Sequence, residues 1–226
     1  MNLKAIVFDL DDTLYPETDY VKSGFRAVGN EIEKRFGVKD AYEKLCRYFS
    51  VDKNDVYNRV LRDSNVVFTQ SDIADLVGIY RTHKPEIALS EKVKDTLLSL
   101  RKNGYKIGII TDGRPVQQRA KIEALGLEKL VHSIIVTDEL GGTEFRKPNP
   151  TAFETMCKHF QIQPQEMLYV GDNPNKDFAI KKHLPVKTVQ IKSGLYQGES
   201  YLGNIRPDIV IQALSELTEI DFNDVR

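Results

Sequence analysis

Two carboxylates one residue apart, Asp9 and Asp11, stand where the apolar run Lys4-Ala5-Ile6-Val7-Phe8 gives way to Asp9-Leu10-Asp11-Asp12-Thr13. Acids crowded at the end of a buried strand repel one another, and a nearby apolar core resists their ionisation. The cluster is tolerable where a cation or a reaction uses it, although a lone Asp-x-Asp is as often an innocent loop start. Further along lie Thr111-Asp112-Gly113, Lys147-Pro148 and Gly171-Asp172-Asn173, with Asp177 following on. Asp9, Asp172 and a backbone carbonyl near Asp11 are hard oxygen donors of the kind Mg²⁺ takes beside water and phosphate. A cation there would relieve the repulsion and let a phosphate approach. With its charge shielded, Asp9 is a candidate nucleophile toward phosphorus, forming an aspartyl-phosphate. Asp11, on a diverging backbone vector, is placed to protonate a leaving alkoxide and then to deprotonate the attacking water. Thr111, the amides of Asp112 and Gly113, and Lys147 would hold the phosphoryl oxygens.

For these side chains to meet, their strands must share one sheet, because ligands of open α/β sheets bind outside the strands' carboxyl ends. Short apolar runs recur at Ile107–Ile110, Ile134–Val136, Met167–Val170, Val186–Ile191 and Ile209–Ile211, without strict alternation. That texture predicts strands covered on both faces, as in a parallel sheet. Helical segments separate them. Ser90 is a candidate cap for a helix bearing Val93, Leu97 and Leu100, with Gly104 as its stop. Asn149-Pro150 suits the N-cap and first position of a helix burying Phe153, Met156 and Phe160. Gly126 closes a helix beginning near Pro115. The reading is an α/β class protein with a doubly wound parallel sheet. Residues 15–86 differ: Val21, Phe25, Val28 and Ile32, then Tyr42, Leu45, Cys46 and Phe49, recur at helical spacing. Val56 with Val60, and Ile73, Leu76 and Tyr80, continue that pattern. These stripes read as the core of an all-helical module inserted after the first strand, leaving 1–14 and 87–226 as the α/β core domain.

In this order and at these strand ends, the residues resemble the haloacid dehalogenase (HAD) superfamily, in its phosphatase branch with a helical C1-type cap. The motifs stand here as Asp9-Leu10-Asp11-Asp12-Thr13-Leu14-Tyr15, Ile110-Thr111-Asp112-Gly113, Lys147-Pro148 and Gly171-Asp172-Asn173-Pro174-Asn175-Lys176-Asp177. The resemblance covers the whole chain. It implies a HAD-like Rossmannoid fold and a Mg²⁺-dependent phosphatase acting on a sugar phosphate or nucleoside monophosphate. Carried over, Asp9 is nucleophile and metal ligand, Asp11 is general acid/base, and Asp11 and Asp172 complete the metal site. Thr111, Asp112, Gly113 and Lys147 bind phosphate; Asn173 and Asp177 support them, Asp177 either as one of the residues around the site or by orienting Lys147. Relatives resembling dehalogenases lack the second aspartate, so Asp11 marks a reaction in which an alkoxide leaves. Position 112 holds Asp where many relatives carry Asn, and the adjacent Arg114 is a candidate to neutralise it or to touch substrate.

Composition narrows the alternatives. With 226 residues, 41% hydrophobic and 29% charged, the chain suits a globular protein with a real core. Its formal net charge of −1 offers no global field for nucleic acid or an anionic membrane. The apolar runs are far too short for a membrane span. Met1-Asn2-Leu3-Lys4 enters the first strand without a secretory leader, and two distant cysteines, Cys46 and Cys157, make no disulfide framework. A cytoplasmic monomer or homodimer acting on a small phosphorylated metabolite is expected. Two rivals stand beside it. A phosphomutase would use the same scaffold, but phosphoglucomutase-like relatives usually carry Gly where Asp12 stands. A non-catalytic binding protein is disfavoured by the intact set of acids, because unneeded clustered charge costs stability. Tyr15, Tyr20 and Arg26 are read as structural, and His83, His132, His159 and His183 lack ligand spacing.

Overall fold

The computed structural model describes residues 3–192, 201–220 and 222. Six strands, β1 (Ala5–Phe8), β2 (Lys106–Thr111), β3 (Ser133–Val136), β4 (Met167–Gly171), β5 (Lys187–Ile191) and β6 (Ile209–Ile211), form one sheet. Its order is β3-β2-β1-β4-β5-β6, with every pairing parallel. β1 and β4 are buried at every position, which is why their sequences run apolar without alternation. Phe8 lies in register with Ile109 on one side and Val170 on the other. Asp9 therefore leaves the sheet one residue beyond that level, Thr111 ends β2 two residues beyond it, and Asp172 follows the end of β4 at the same height. The order reverses at β1, so these residues meet at the switch point where such sheets hold ligands.

Seven α-helices accompany the sheet: α1 (Glu17–Phe36), α2 (Ala41–Val51), α3 (Val56–Asp63), α4 (Gln70–Thr82), α5 (Glu91–Lys102), α6 (Pro115–Ala124) and α7 (Thr151–Phe160), counted among the described residues. Ser90 Oγ accepts from the Val93 amide at 3.3 Å and starts α5. Asn149 Oδ1 accepts from the Thr151 amide at 2.9 Å, and Pro150 is already helical at φ −74°, so α7 is capped from Asn149. The crossover from β4 to β5 holds only a 3₁₀ turn, Ala179–Lys182, where the alternation predicts a longer helix. The chain up to Asp177 is engaged in a turn closed by Asp177 N donating to Asn173 O, which leaves only a short segment before β5.

The chain divides into two compact units, Met1–Glu17 with Ala88–Arg226, and Thr18–Ile87. The first boundary falls slightly later than periodicity suggests because residues after Leu14 remain tied to the aspartate loop. Asp12, at φ 55°, accepts from the Glu17 amide at 2.9 Å, in a left-handed conformation that Asp tolerates better than most residues. The sheet unit buries Val7, Ile110, Phe153, Met156 and Tyr169 together. The helical unit has its own core around Phe25, Val28, Ile32, Leu45, Val60 and Leu76. No described helix is long and apolar enough to cross a membrane.

Candidate active site

Lys147 is the centre of the buried charge. Its side chain is wholly inaccessible, with Nζ 2.7 Å from Asp9 Oδ1 and 3.0 Å from Asp177 Oδ1. Nζ also donates to the Tyr169 hydroxyl at 2.7 Å, and that hydroxyl donates to Asp177 Oδ1 at 3.3 Å. Burial opposes a charged lysine, but Asp177 and Asp9 together hold it protonated, well above its usual range. Asp9 is fixed at the end of β1 by its amide, which donates to Val170 O at 2.8 Å. Burial pushes its carboxyl up, against the pull of Lys147 and Lys176.

Asp172 has no such partner. Carboxylate oxygens of Asp9, Asp172 and Asp177 lie within 4.8 Å of one another. Thr13 Oγ1 donates to Asp172 Oδ1 at 3.5 Å, while Oδ2 is buried with no hydrogen-bond partner among the described residues. Burial, together with the charges of Asp9, Asp177 and Asp12, pushes the Asp172 carboxyl up to about 8. An orphaned carboxylate oxygen facing further acids fits a hard divalent cation, since buried anions are stable only when paired or metal-bound. Asp9 and Asp172 are the side chains available to hold it, for both oxygens of Asp177 are engaged, Oδ1 by Lys147 and Tyr169 and Oδ2 by the Asn173 amide.

Asp11 is turned elsewhere. Its carboxylate receives Lys121 Nζ at 2.8 and 2.9 Å, the Tyr15 hydroxyl at 2.6 Å and Gln118 Nε2 at 3.0 Å. Burial alone would raise it, but Lys121, Tyr15 and Gln118 hold it below the usual carboxylate range. Gln118 Nε2 also donates to Thr111 Oγ1 at 2.6 Å. Asp11 therefore joins Thr111 through α6, and its side chain stands outside the three-acid group.

Asp112 serves as a brace. Its Oδ1 accepts from the Lys147 amide and from Thr137 Oγ1, each at 3.0 Å, and its Oδ2 pairs with Lys176 Nζ at 3.3 Å. Arg114, the neighbour suggested by sequence, is exposed; the neutralising cation is Lys176, from the loop after β4. Gly113 sits at φ 139°, beyond the reach of most L side chains, with Gln118 folded over it. The Asn173 amide donates to Asp177 Oδ2 at 2.9 Å. A Cβ at Gly171 would lie 2.4 Å from that same oxygen. Because Asp177 is buried and held from three sides, Gly171→Ala is expected to cost about 1–3 kcal/mol. Urea unfolding measures the loss, and an unchanged midpoint would mean Asp177 yields freely.

Sequence reasoning missed Gln118, Lys121 and Lys176 and read Tyr15 as structural. One signal was present: Gln118 and Lys121 fall on the stripe shared with Ile122 and Leu125, where an amphipathic helix carries apolar residues. Polar residues at inward positions of a helix are informative because burial demands partners for them.

Residues 6–191 match the model of the haloacid dehalogenase-like hydrolase family. The chain belongs to that family. It is 30% identical over 231 residues to a glyceraldehyde 3-phosphate phosphatase of Pyrococcus abyssi, covering 98% of this chain and 95% of that one. It is 26% identical over 226 residues to the pyrophosphatase PpaX of Bacillus mycoides, covering 97% of each. Among solved structures, the HAD hydrolase YfnB of Bacillus subtilis superposes with a TM-score of 0.71 at 20% identity, covering 97% of this chain and 98% of that one. A HAD phosphatase of Thermococcus onnurineus gives 0.62 at 24% identity, covering 99% and 100%.

Proposed function

We propose that this chain, a HAD-type phosphatase, hydrolyses a small-molecule phosphate monoester, a sugar phosphate or nucleoside monophosphate, with Mg²⁺ and through an aspartyl-phosphate on Asp9. The strongest support is the orphaned Asp172 Oδ2 beside Asp9, with Lys147 already bound to Asp9. Relatives named for the release of phosphate from unlike substrates support the reaction class and leave the organic part of the substrate open.

In this reading Asp9 and Asp172, with a backbone carbonyl near Asp11, would hold Mg²⁺, which when bound would screen the acids and draw charge from the phosphoryl oxygens. Asp9 attacks phosphorus as the bond to the alkoxide breaks, and Asp11 gives the alkoxide its proton. Lys121, Tyr15 and Gln118 hold Asp11 as a carboxylate in the structure, so Asp11 takes up a proton as the substrate phosphate approaches, passes it to the alkoxide and is a carboxylate again. It takes a proton from water as that water attacks the aspartyl-phosphate, which restores both aspartates. Thr111, the amides of Asp112 and Gly113, and Lys147 stabilise the phosphoryl oxygens, while Asp177 and the Asn173 amide keep Lys147 in place. The helical unit inserted between Glu17 and Ala88 is the cap in this reading, limiting the substrate to a small metabolite. The free thiols of Cys46 and Cys157 support a reducing, cytoplasmic setting.

The test is phosphate release from a panel of phosphorylated metabolites in Mg²⁺ and in EDTA. Metal-dependent release is expected from at least one. Folded, Mg²⁺-binding protein that releases phosphate from none would remove the monophosphatase reading.

A further inference from the structure

We infer that Gln118 and Lys121 are positioning residues that hold Asp11 and Thr111 in register for proton transfer to the leaving group. The inference rests on the phosphatase reading above and concerns residues outside its motifs.

The two side chains leave α6 one turn apart, and both are buried, at 3% and 4% exposure. Lys121 Nζ contacts both oxygens of Asp11, at 2.8 and 2.9 Å, so it fixes the rotation of the carboxylate as well as its position. Gln118 Nε2 spans Asp11 Oδ2 at 3.0 Å and Thr111 Oγ1 at 2.6 Å. Its Cγ and Cδ pack where a Gly113 side chain would begin, at 3.1 and 3.2 Å. One glutamine thus touches the acid/base and two of the groups assigned to the phosphoryl oxygens. The Tyr15 hydroxyl, 2.6 Å from Asp11 Oδ1, closes the remaining side.

A purely structural role fits these residue types poorly. A buried lysine carries a desolvation cost that a methionine at the same inward position would avoid. Lys121 and Asp11 neutralise each other across a 2.8 Å ion pair, and the pair is placed where proton transfer needs a carboxyl of defined orientation. Misplacement by even an ångström is expensive in such a step. As the P–O bond breaks, its electron pair goes to the leaving oxygen, and the proton reaching that oxygen comes from Asp11. Lys121 and Gln118 exchange nothing; they decide where Asp11 stands relative to the phosphoryl group.

The substrate pair that reads this out is p-nitrophenyl phosphate, whose leaving group departs with little need of a proton, and the best alkyl phosphate of the panel. Lys121→Met is expected to lower kcat on the alkyl phosphate roughly 100-fold and on p-nitrophenyl phosphate by less than about 10-fold, with KM on each changing little. Lys121→Arg is expected to recover part of the loss. In an Asp11→Asn background, Lys121→Met should add nothing further, because a residue acting through Asp11 has no effect once Asp11 is gone. Gln118→Met should show the same split between substrates, and it serves should Lys121→Met fail to fold by circular dichroism. Equal losses on both substrates, or additive losses in the double variant, would overturn the inference in favour of a structural role. A wild type that turns over both substrates while Lys121→Met and Gln118→Met match it overturns the inference alone. A wild type inactive on both overturns the phosphatase reading and the inference together.

Discussion

Asp9→Asn is expected to abolish turnover while leaving the protein folded and no longer stabilised by Mg²⁺. An amide cannot attack phosphorus as the carboxylate does, and removal of a covalent nucleophile costs roughly 10⁴–10⁶-fold in kcat. The structure explains why the fold should survive. Lys147 keeps Asp177 at 3.0 Å and Tyr169 at 2.7 Å, so its charge is still compensated when Asp9 is neutral. Burial already pushes the Asp9 carboxyl up, and Asp9 is in turn one of the charges that raise Asp172. A neutral side chain at position 9 therefore relieves repulsion in the metal-free protein. Thermal unfolding should give a metal-free midpoint at or above that of the wild type, without the upward shift that Mg²⁺ causes in the wild type. Substantial residual phosphate release from pure protein would exclude Asp9 as the nucleophile.

The metal-free protein is expected to lose stability as pH rises from about 4 to about 8, and Mg²⁺ is expected to restore it. The Asp172 carboxyl titrates near 8 in the fold, against 3.8 for an ordinary aspartate. Within that window the native chain holds a proton that the unfolded chain has released, so each pH unit costs the native state about 1.4 kcal/mol. The contribution is fully present below 4, is lost progressively to about 8, and then levels; over the window it amounts to roughly 6 kcal/mol. Asp11 and Asp112 act in the opposite sense: their carboxyls are held low in the fold, and their contributions are lost as pH falls below about 4. Burial opposes the ionised form of Asp112, but the pull of Lys147 and Lys176 outweighs it. A cation binds only the ionised Asp172, so the Mg²⁺-induced rise in melting temperature should grow with pH up to about 8. Urea unfolding across this range, in Mg²⁺ and in EDTA, measures both slopes. Asp172→Asn should make the metal-free slope shallower, leaving the part due to Asp9, whose carboxyl burial also pushes up, and remove the response to Mg²⁺. An unchanged slope in that variant would assign the pH dependence to other groups.

Much of the fold was legible because its signals are short-range. An apolar run that ends on acids, a serine before Val93 and an asparagine before Pro150 each act on neighbours within a few residues. β1, α5 and α7 accordingly begin and end close to where those residues predict. The strand ends were legible for the same reason, and a parallel sheet brings its carboxyl ends to one edge. The crossover after β4 was less so, because residues 172–177 are taken up by contacts of the site.

The partners of the charges were not legible. Sequence offers Arg114 to Asp112 because the two are near neighbours, yet the cation that reaches Asp112 is Lys176. Tyr15 reads as a structural residue until its hydroxyl is found on Asp11, and nothing in the local sequence pairs Lys121 with Asp11 until α6 turns it inward. Local propensity and hydrophobic pattern were enough to place the reactive residue types, in order, at the ends of their strands. It took the packed chain to show that Lys147 neutralises Asp9 and Asp177, that α6 holds Asp11, and that Asp172 keeps an oxygen unpaired among the described residues. A buried charge is set by whichever side chains packing brings within a few ångströms of it, and distance along the chain carries almost no information about that.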